Sequence, residues 1–297
     1  MPVPALSLAA VSPVPISQAT GGLEVWVLRL ADVSRRDLDT TDLDQDECRR
    51  AARLVRNSDR HSFLAGHVLL RELLSRRAGC PPREIVYGRE RCPVCGGPNG
   101  RPVVTAPASG AHFSISRSGG LVMVALASVP VGVDVEALPS GDAAAEVSAL
   151  LHENERRQVL SAAADERSGV FARLWTRREA YLKGLGTGIA HGLDSEVGHG
   201  LDAEVGHGLD AGVGHGMDAG VGHGLDAEVA PGMDAGGVAG GQAGGPGWTI
   251  QELPIASGYA AAVAVASPQA TGAVAVASPQ ATGAVAVTSA QATRAVA

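Results

Sequence analysis

Apolar and polar positions alternate along LEVWVLRLADV, residues 23–33, the period-two pattern of a strand with one buried face. The period then lengthens. Two helices are predicted across DLDQDECRRAARLVRNSDRHSFLAGHVLLRELLSRRAG (42–79), the second carrying Phe63, Leu64, Val68, Leu69 and Leu73 at roughly helical spacing. Gly79 and Pro81-Pro82 end it, since proline cannot continue the hydrogen-bond ladder. REIVYG (83–88) reads as a short strand and RERCPVCGGPNGRPVV (89–104) as a loop. AHFSISRSGGLVMVALASVPVGVDVEAL (111–138) then predicts two or three strands, with turns at 118–120 and near Pro130. Residues 142–185 return to helix, once across AAEVSALLHENERRQVLSA and once across FARLWTRREAYLKGLGTG (171–188). GWTIQELPIASGYAAAVAV (247–265) predicts two more strands.

From residue 191 the pattern is of another kind. Six octads, HGLDSEVG to PGMDAGGV, run through residue 238 and are followed by AGGQAGGPG. Each carries two sizeable apolar side chains and mostly two or three glycines, too little burial to offset chain entropy, so a flexible insertion is expected. The alternatives are weak divalent-metal binding by His191, His199, His207, His215 and His223, or an ordered repeat. Against the latter, eight residues miss the glycine-rich nonapeptide of a calcium β-roll. AVAVASPQATG recurs at 262–272 and 273–283, with a variant at 284–294, giving an alanine-valine tail able to extend the last strand or to associate between copies. The implied organisation is a ragged N-terminus (1–22), a folded part over 23–125 and 126–190, the octad insertion (191–246), closing strands (247–265) and the tail (266–297).

Composition changes this picture in two places. The 297 residues have a net charge of −7, but 191–235 hold nine Asp or Glu and no Lys or Arg, so the rest carries +2. Its arginines cluster in DECRRAARLVRNSDRH, SRRAG and TRR. Such local clusters fit small phosphorylated ligands and not a nucleic-acid face, which needs a broader basic field. No apolar run is long and uninterrupted enough for an obvious membrane span, and the proline-broken start lacks a basic n-region. Four cysteines in a chain this long do not make a disulfide scaffold, so a reducing cytoplasm is the expected location.

Three segments carry candidate chemistry. In VGVDVEAL, Asp134 and Glu136 emerge on one strand face while Val131, Val133 and Val135 anchor the other. Paired carboxylates repel unless a cation or protons compensate, and such oxygen ligands suit Mg²⁺; an acidic strand end is the plain alternative. On the helix at 171–185, Phe171, Leu174, Trp175 and Leu182 give an apolar side. Glu179 and Lys183 stand four apart, spacing that a surface ion pair also explains. In AHFSISRSGG, Ser114 and Ser116 share a strand face that ends in a glycine turn. With Arg117 they make a candidate phosphate cradle or an ordinary polar hairpin. Cys92-Pro-Val-Cys95 resembles half a zinc knuckle with Cys80 as a conceivable third ligand; a bland loop and a redox pair are the other readings. His112 reads as a strand or loop residue before a catalyst.

HFSISRSGG, VGVDVEAL and LWTRREAYLKGLGTG, in this order and at these separations, resemble the three signatures of the 4'-phosphopantetheinyl transferases, in particular the monomeric two-lobed type that activates peptide and polyketide synthases. GRP at 100–102 resembles the Gly-Lys/Arg-Pro element ahead of the first signature. The likeness covers about 23–190 and resumes at 247–265. It implies an α+β fold: a pseudo-twofold pair of similar α/β lobes with antiparallel sheets, coenzyme A in the cleft between them, and the second lobe interrupted by the octads. It further implies transfer of the phosphopantetheine arm from coenzyme A to a serine of an acyl or peptidyl carrier protein (holo-acyl-carrier-protein synthase chemistry), leaving adenosine 3',5'-bisphosphate. Carried over by position, Asp134, Glu136 and Glu179 would hold Mg²⁺. Glu179 would take the proton of the carrier serine. Lys183 would steady the pyrophosphate, Ser116 and Arg117 would bind it, and Arg101 would approach the nucleotide or its phosphates. Arg50 and Arg53 are candidates for the 3'-phosphate. Two positions depart from the family: Arg117 stands where histidine is usual and cannot relay protons as imidazole can, and Ser62 stands where a basic residue is expected, with Arg60 or His61 as substitutes. An impaired family member, a carrier-binding scaffold that uses the octads, and a magnesium enzyme for another nucleotide are the competing accounts.

Overall fold

The computed structural model describes residues 11–16, 20–36, 38–187 and 247–267. Residues 1–10, the octad array and nearly all of the alanine-valine tail lie outside the described residues. The described chain is an α+β fold whose strands pair antiparallel throughout.

The first sheet has the order β1-β2-β6-β5, formed by β1 (Val11–Pro13), β2 (Glu24–Arg29), β6 (Leu121–Ala127) and β5 (His112–Ser118). The start of the chain, expected to be ragged to residue 22, thus supplies an edge strand, with Val11 opposite Leu28. Pro13 cannot donate to a ladder and suits that edge. Two helices precede the middle strands. The first, α1 (Gln45–Arg53), opens with a reciprocal capping box between Asp44 and Glu47. The second, α2 (Asn57–Ala78), stops where Gly79 takes the left-handed conformation at φ 68°. A separate hairpin pairs β3 (Val86–Arg89) with β4 (Pro102–Ala106).

The second sheet has the order β7-β9-β8, from β7 (Val131–Ala137), β9 (Tyr259–Ala266) and β8 (Trp248–Glu252). Between β7 and β8 lie the helices α3 (Gly141–Val147), α4 (Glu153–Ser161) and α5 (Arg167–Leu185).

Strand β6 explains how the layers stack. It is buried along its whole length because its alternating residues serve two cores. Val122, Val124 and Leu126 pack with Leu69, Leu70 and Leu73 of α2. Leu121, Met123 and Ala125 pack with Val131, Val133 and Val135 of β7 and with Val263 and Val265 of β9. Helix α5 covers the remaining face of the second sheet, where Ala180 meets Ala262 and Ala264 beside Trp248. The order through the molecule is therefore α2, first sheet, second sheet, α5. The N-terminal half of α5 has a further core, in which Phe171 and Leu174 pack with Ala144, Leu151 and Val159.

Candidate active site

Where the two sheets meet edge to edge, β5 and β7 are joined through side chains. The hydroxyls of Ser114, Ser116 and Ser118 accept hydrogen bonds from the backbone N–H groups of Val133, Val135 and Ala137 at 3.0, 3.3 and 2.9 Å. An edge strand otherwise leaves such groups unpaired, and buried ones are costly. Two of the serines also donate: Ser116 to Asp134 Oδ1 and Ser118 to Glu136 Oε2, each at 2.8 Å. The period-two pattern SxSxS therefore does two things. It closes the seam between the sheets, and it aims both carboxylates of β7.

With Val131, Val133 and Val135 committed to the inter-sheet core, Gly132, Asp134 and Glu136 face α5. The helix lies so close that a Cβ built on Gly132 would stand 1.9 Å from the Ala180 carbonyl oxygen; one on Gly184 would stand 2.6 Å from the Trp248 ring. These two glycines bring Glu179 and Lys183 onto the strand carboxylates. Lys183 Nζ donates to Asp134 Oδ1 at 2.6 Å and to Ser116 Oγ at 3.1 Å. Asp134 Oδ2 is buried without a hydrogen-bond partner among the described residues.

The charges do not balance. Burial raises the Asp134 carboxyl above its usual range although Lys183 and Ser116 act against this. Burial, then the Asp134 charge, pushes Glu136 up to about 8, and the same two causes push Glu179 up to about 7. Burial works against the Lys183 ammonium, but Asp134, Glu179 and Glu136 together hold its pKa above normal. Three carboxyl groups therefore crowd the Lys183 ammonium in a buried site, and the Arg178 guanidinium, itself paired with Glu155, is felt at Glu179. Among the described residues no three His, Cys, Asp or Glu side chains are gathered at metal-ligating spacing. The hard oxygen donors, the mutual repulsion and the orphan Oδ2 nevertheless fit a divalent oxygen-seeking cation.

The other predicted residues are spread more widely. Strand alternation puts Arg117 on the face opposite Ser116. There its guanidinium lies 4.9 Å from the centroid of the Phe63 ring on α2, and Nη1 is buried with no partner among the described residues. Burial lowers its pKa to about 10, which leaves it charged at neutral pH. Arg50 stands close enough that its charge and that of Arg117 are both felt at His67. Arg53 is exposed on the same helix. Arg60 caps the end of α1, donating to the carbonyls of Ala51 and Leu54 at 3.1 and 2.9 Å. His61 and Ser62 are half-buried near the start of α2. Arg101 is held by Glu90 at 2.7 Å and donates to the Gly184 carbonyl at 2.9 Å, which ties the β3–β4 hairpin to the end of α5. His112 is half-buried on β5, and Cys80 packs against the first core. Sequence reasoning missed two residues at this site. Ser118 continues the alternation of Ser114 and Ser116 and was readable from it. Tyr259, whose hydroxyl accepts from Gly120 N–H at 3.0 Å across the glycine turn, left no local signal.

Residues 130–205 match the family model of the 4'-phosphopantetheinyl transferase superfamily, a span that includes β7 and α5. The chain is 33% identical over 134 residues to the 4'-phosphopantetheinyl transferase psf-1 of Bacillus pumilus, covering 45% of this chain and 54% of the relative. It is 31% identical over 159 residues to the 4'-phosphopantetheinyl transferase HetI of a Nostoc species, covering 52% and 64%. To the 4'-phosphopantetheinyl transferase Sfp of Bacillus subtilis it is 29% identical over 147 residues, covering 49% and 60%. The chain thus spans little more than half the length of these relatives. The segment that brings the acids of β7 and α5 together is thus the one that is similar to the 4'-phosphopantetheinyl transferase superfamily.

Proposed function

We propose that this protein transfers the 4'-phosphopantetheine arm of coenzyme A to a serine hydroxyl of an acyl or peptidyl carrier protein, with Mg²⁺, and releases adenosine 3',5'-bisphosphate. The observation that carries this reading is the buried crowding of Asp134, Glu136 and Glu179 around the Lys183 ammonium, with the Arg178 guanidinium, itself paired with Glu155, felt at Glu179, and one Asp134 oxygen without a partner among the described residues. A scaffold has no reason to maintain that crowding, which costs folding free energy until a cation arrives. Asp134, Glu136 and Glu179 would hold the Mg²⁺, which when bound supplies a Lewis acid for diphosphate oxygens.

The chain's own groups divide the remaining work. Glu179, a buried carboxyl beside Asp134, is the group proposed as the general base. It takes the proton of the carrier serine, whose oxygen attacks the phosphorus next to the pantetheine arm while the bond to the nucleotide phosphate breaks. Lys183 offsets the charge that develops on the leaving phosphate, and Ser116, between Lys183 and Asp134, can turn its hydroxyl to the same diphosphate. Arg117 and Arg50 lie on the α2 side of β5, where they fit a phosphate apart from the pyrophosphate, the 3'-phosphate of coenzyme A. Arg101, already engaged by Glu90 and Gly184, acts by positioning the end of α5.

We read the unit of α2 on the first sheet and the unit of α5 on the second as the two similar lobes, with all proposed catalytic groups supplied by one chain in the cytoplasm. The test is a gain in mass of one phosphopantetheine arm on purified apo carrier proteins of the fatty-acid, polyketide and peptide kinds, dependent on both coenzyme A and Mg²⁺. No modification across that panel would overturn the transfer reading.

A further inference from the structure

Between β3 and β4 the chain makes a turn that the transfer reaction does not use. Cys92-Pro93-Val94-Cys95 is followed by Gly96-Gly97, and the backbone closes it twice: Gly96 N–H donates to the Cys92 carbonyl at 2.9 Å, and Cys92 N–H to the Gly97 carbonyl at 2.8 Å. Gly96 sits at φ 69°, a conformation that side chains rarely adopt. The buried Cys92 sulfur accepts hydrogen bonds from the N–H groups of Cys95 and Val94 and from the Cys95 thiol. Burial pushes the Cys92 thiol up, but these donors outweigh it and hold its pKa below normal. Cys95 is exposed, and Val94 between the two is 58% exposed at the tip. Arg91 braces the turn by donating to the Gly96 carbonyl at 2.9 Å.

We propose that Cys92 and Cys95 chelate a zinc ion whose two remaining positions are filled by the same pair from a second copy of this chain. The two sulfurs are neighbours, and two amide dipoles already point at one of them, so thiolate charge is stabilised without rearrangement. Soft thiolates select zinc over Mg²⁺, and a structural zinc site takes four ligands in a tetrahedron with Zn–S near about 2.3 Å. One chain supplies two: among the described residues no third Cys, His, Asp or Glu joins this pair. Cys95 and Val94 are exposed together at the tip while Cys92 is buried, so a second copy can approach the pair from the Cys95 side and cover the valine. Binding is balanced by protons alone. Four S–H groups release four protons to solvent, four Zn–S bonds form, and no electrons move. The site is independent of the transfer reaction, so either reading can fail without the other.

The test uses the full chain, reduced and free of oxygen, titrated with Co²⁺ as a spectroscopic stand-in for zinc. Sulfur-to-cobalt charge-transfer absorption should saturate at one cobalt per two chains and vanish on addition of zinc. Sedimentation should show a dimer with zinc and a monomer after chelation. Because Cys92 is buried, Cys95→Ser at the exposed position is the decisive variant: it should lose both signals and keep its fold. Saturation at one metal per chain without dimerisation would overturn the shared site. Cobalt spectra without sulfur bands, or bands that survive in the Cys92→Ser, Cys95→Ser double variant, would place the metal elsewhere, the octad histidines included. A Cys92–Cys95 disulfide that persists in glutathione buffer at a cytosolic potential would overturn zinc binding in favour of a redox pair.

Discussion

Two buried ionic clusters sit on either side of the sheets, and they are solved differently. In the α1–α2 cluster, Glu47 gives one oxygen to His67 Nδ1 and the other to Arg71 Nε, both at 2.7 Å. Arg71 spends its other donors on Asp44 and on the carbonyls of Pro82 and Ile85. Burial alone would raise the Glu47 carboxyl, but His67 and Arg71 outweigh it and its pKa falls below normal. In the β7–α5 cluster three carboxyl groups crowd Lys183, all three are raised, and an Asp134 oxygen has no partner among the described residues. The first cluster is electrostatically finished and holds two helices together. The second is short of positive charge, and the proposed cation site rests on that deficit.

The largest expected difference between them is catalytic. Glu179→Gln keeps the size of the side chain and removes its charge and its basicity, so carrier modification should fall by about 10²–10⁴, the range for losing a general base. Mass spectrometry of the carrier measures this, and circular dichroism checks that the fold is retained. Full activity in this variant would remove Glu179 from the reaction. The finished cluster should respond through stability instead. Glu47→Ala removes the buried carboxylate that joins Arg71 to His67, leaving the guanidinium only Asp44 and two carbonyls, and should cost up to roughly 3–5 kcal/mol, about 6–20 °C in melting temperature for a chain of this size. A shift under about 2 °C would mean that the network is not what joins α1 to α2.

How much of each cluster could be read beforehand follows from the range of the contacts. The second was legible because its residues sit at fixed local spacings. Asp134 and Glu136 lie two apart on β7, and Glu179 and Lys183 lie four apart on a helix expected through residue 185 and found at Arg167–Leu185. The first was not, although Asp44 and Glu47 have capping-box spacing and His67 and Arg71 stand four apart on α2. Nothing local says that those two pairs meet. The tether from Arg101 to Gly184 escaped for the same reason, since it joins residues far apart in sequence. Arg117 is a different case. Alternation along β5 should have separated it from Ser116, yet its proximity to the glycine turn suggested a shared cradle. Strand β1 was masked by Pro13 and Pro15, which read as breakers.

The placement of Arg117 yields a smaller effect. If it serves the 3'-phosphate, Arg117→Ala should raise the KM for coenzyme A about tenfold, or about 1.4 kcal/mol, with kcat nearly unchanged. The same change should leave the KM for dephospho-coenzyme A unaltered. A loss in kcat with both donors would instead put the guanidinium at the pyrophosphate, beside Ser116.

The smallest effect is thermodynamic, and it has opposite signs in the two clusters. Glu136 and Glu179 have folded pKa values of about 8 and 7, above the ordinary 4.5. Their favourable contribution is complete below about 4.5 and is lost as pH rises through 7 to 8. Glu47, held below 4.5, contributes above that value and loses its contribution as pH falls. The metal-free protein should therefore lose melting temperature as pH rises from about 5.5 to 8.5, and saturating Mg²⁺ should flatten the slope by competing with protons. Glu136→Gln, which removes one crowded charge and keeps an acceptor for Ser118, should raise the metal-free melting temperature at pH 8 by about 2–4 °C, near 1 kcal/mol. Differential scanning calorimetry with and without Mg²⁺ decides it. A metal-free melting temperature that climbs from pH 5.5 to 8.5 would show that the acids of β7 and α5 are as well compensated as Glu47, and the contrast between the two clusters would be gone.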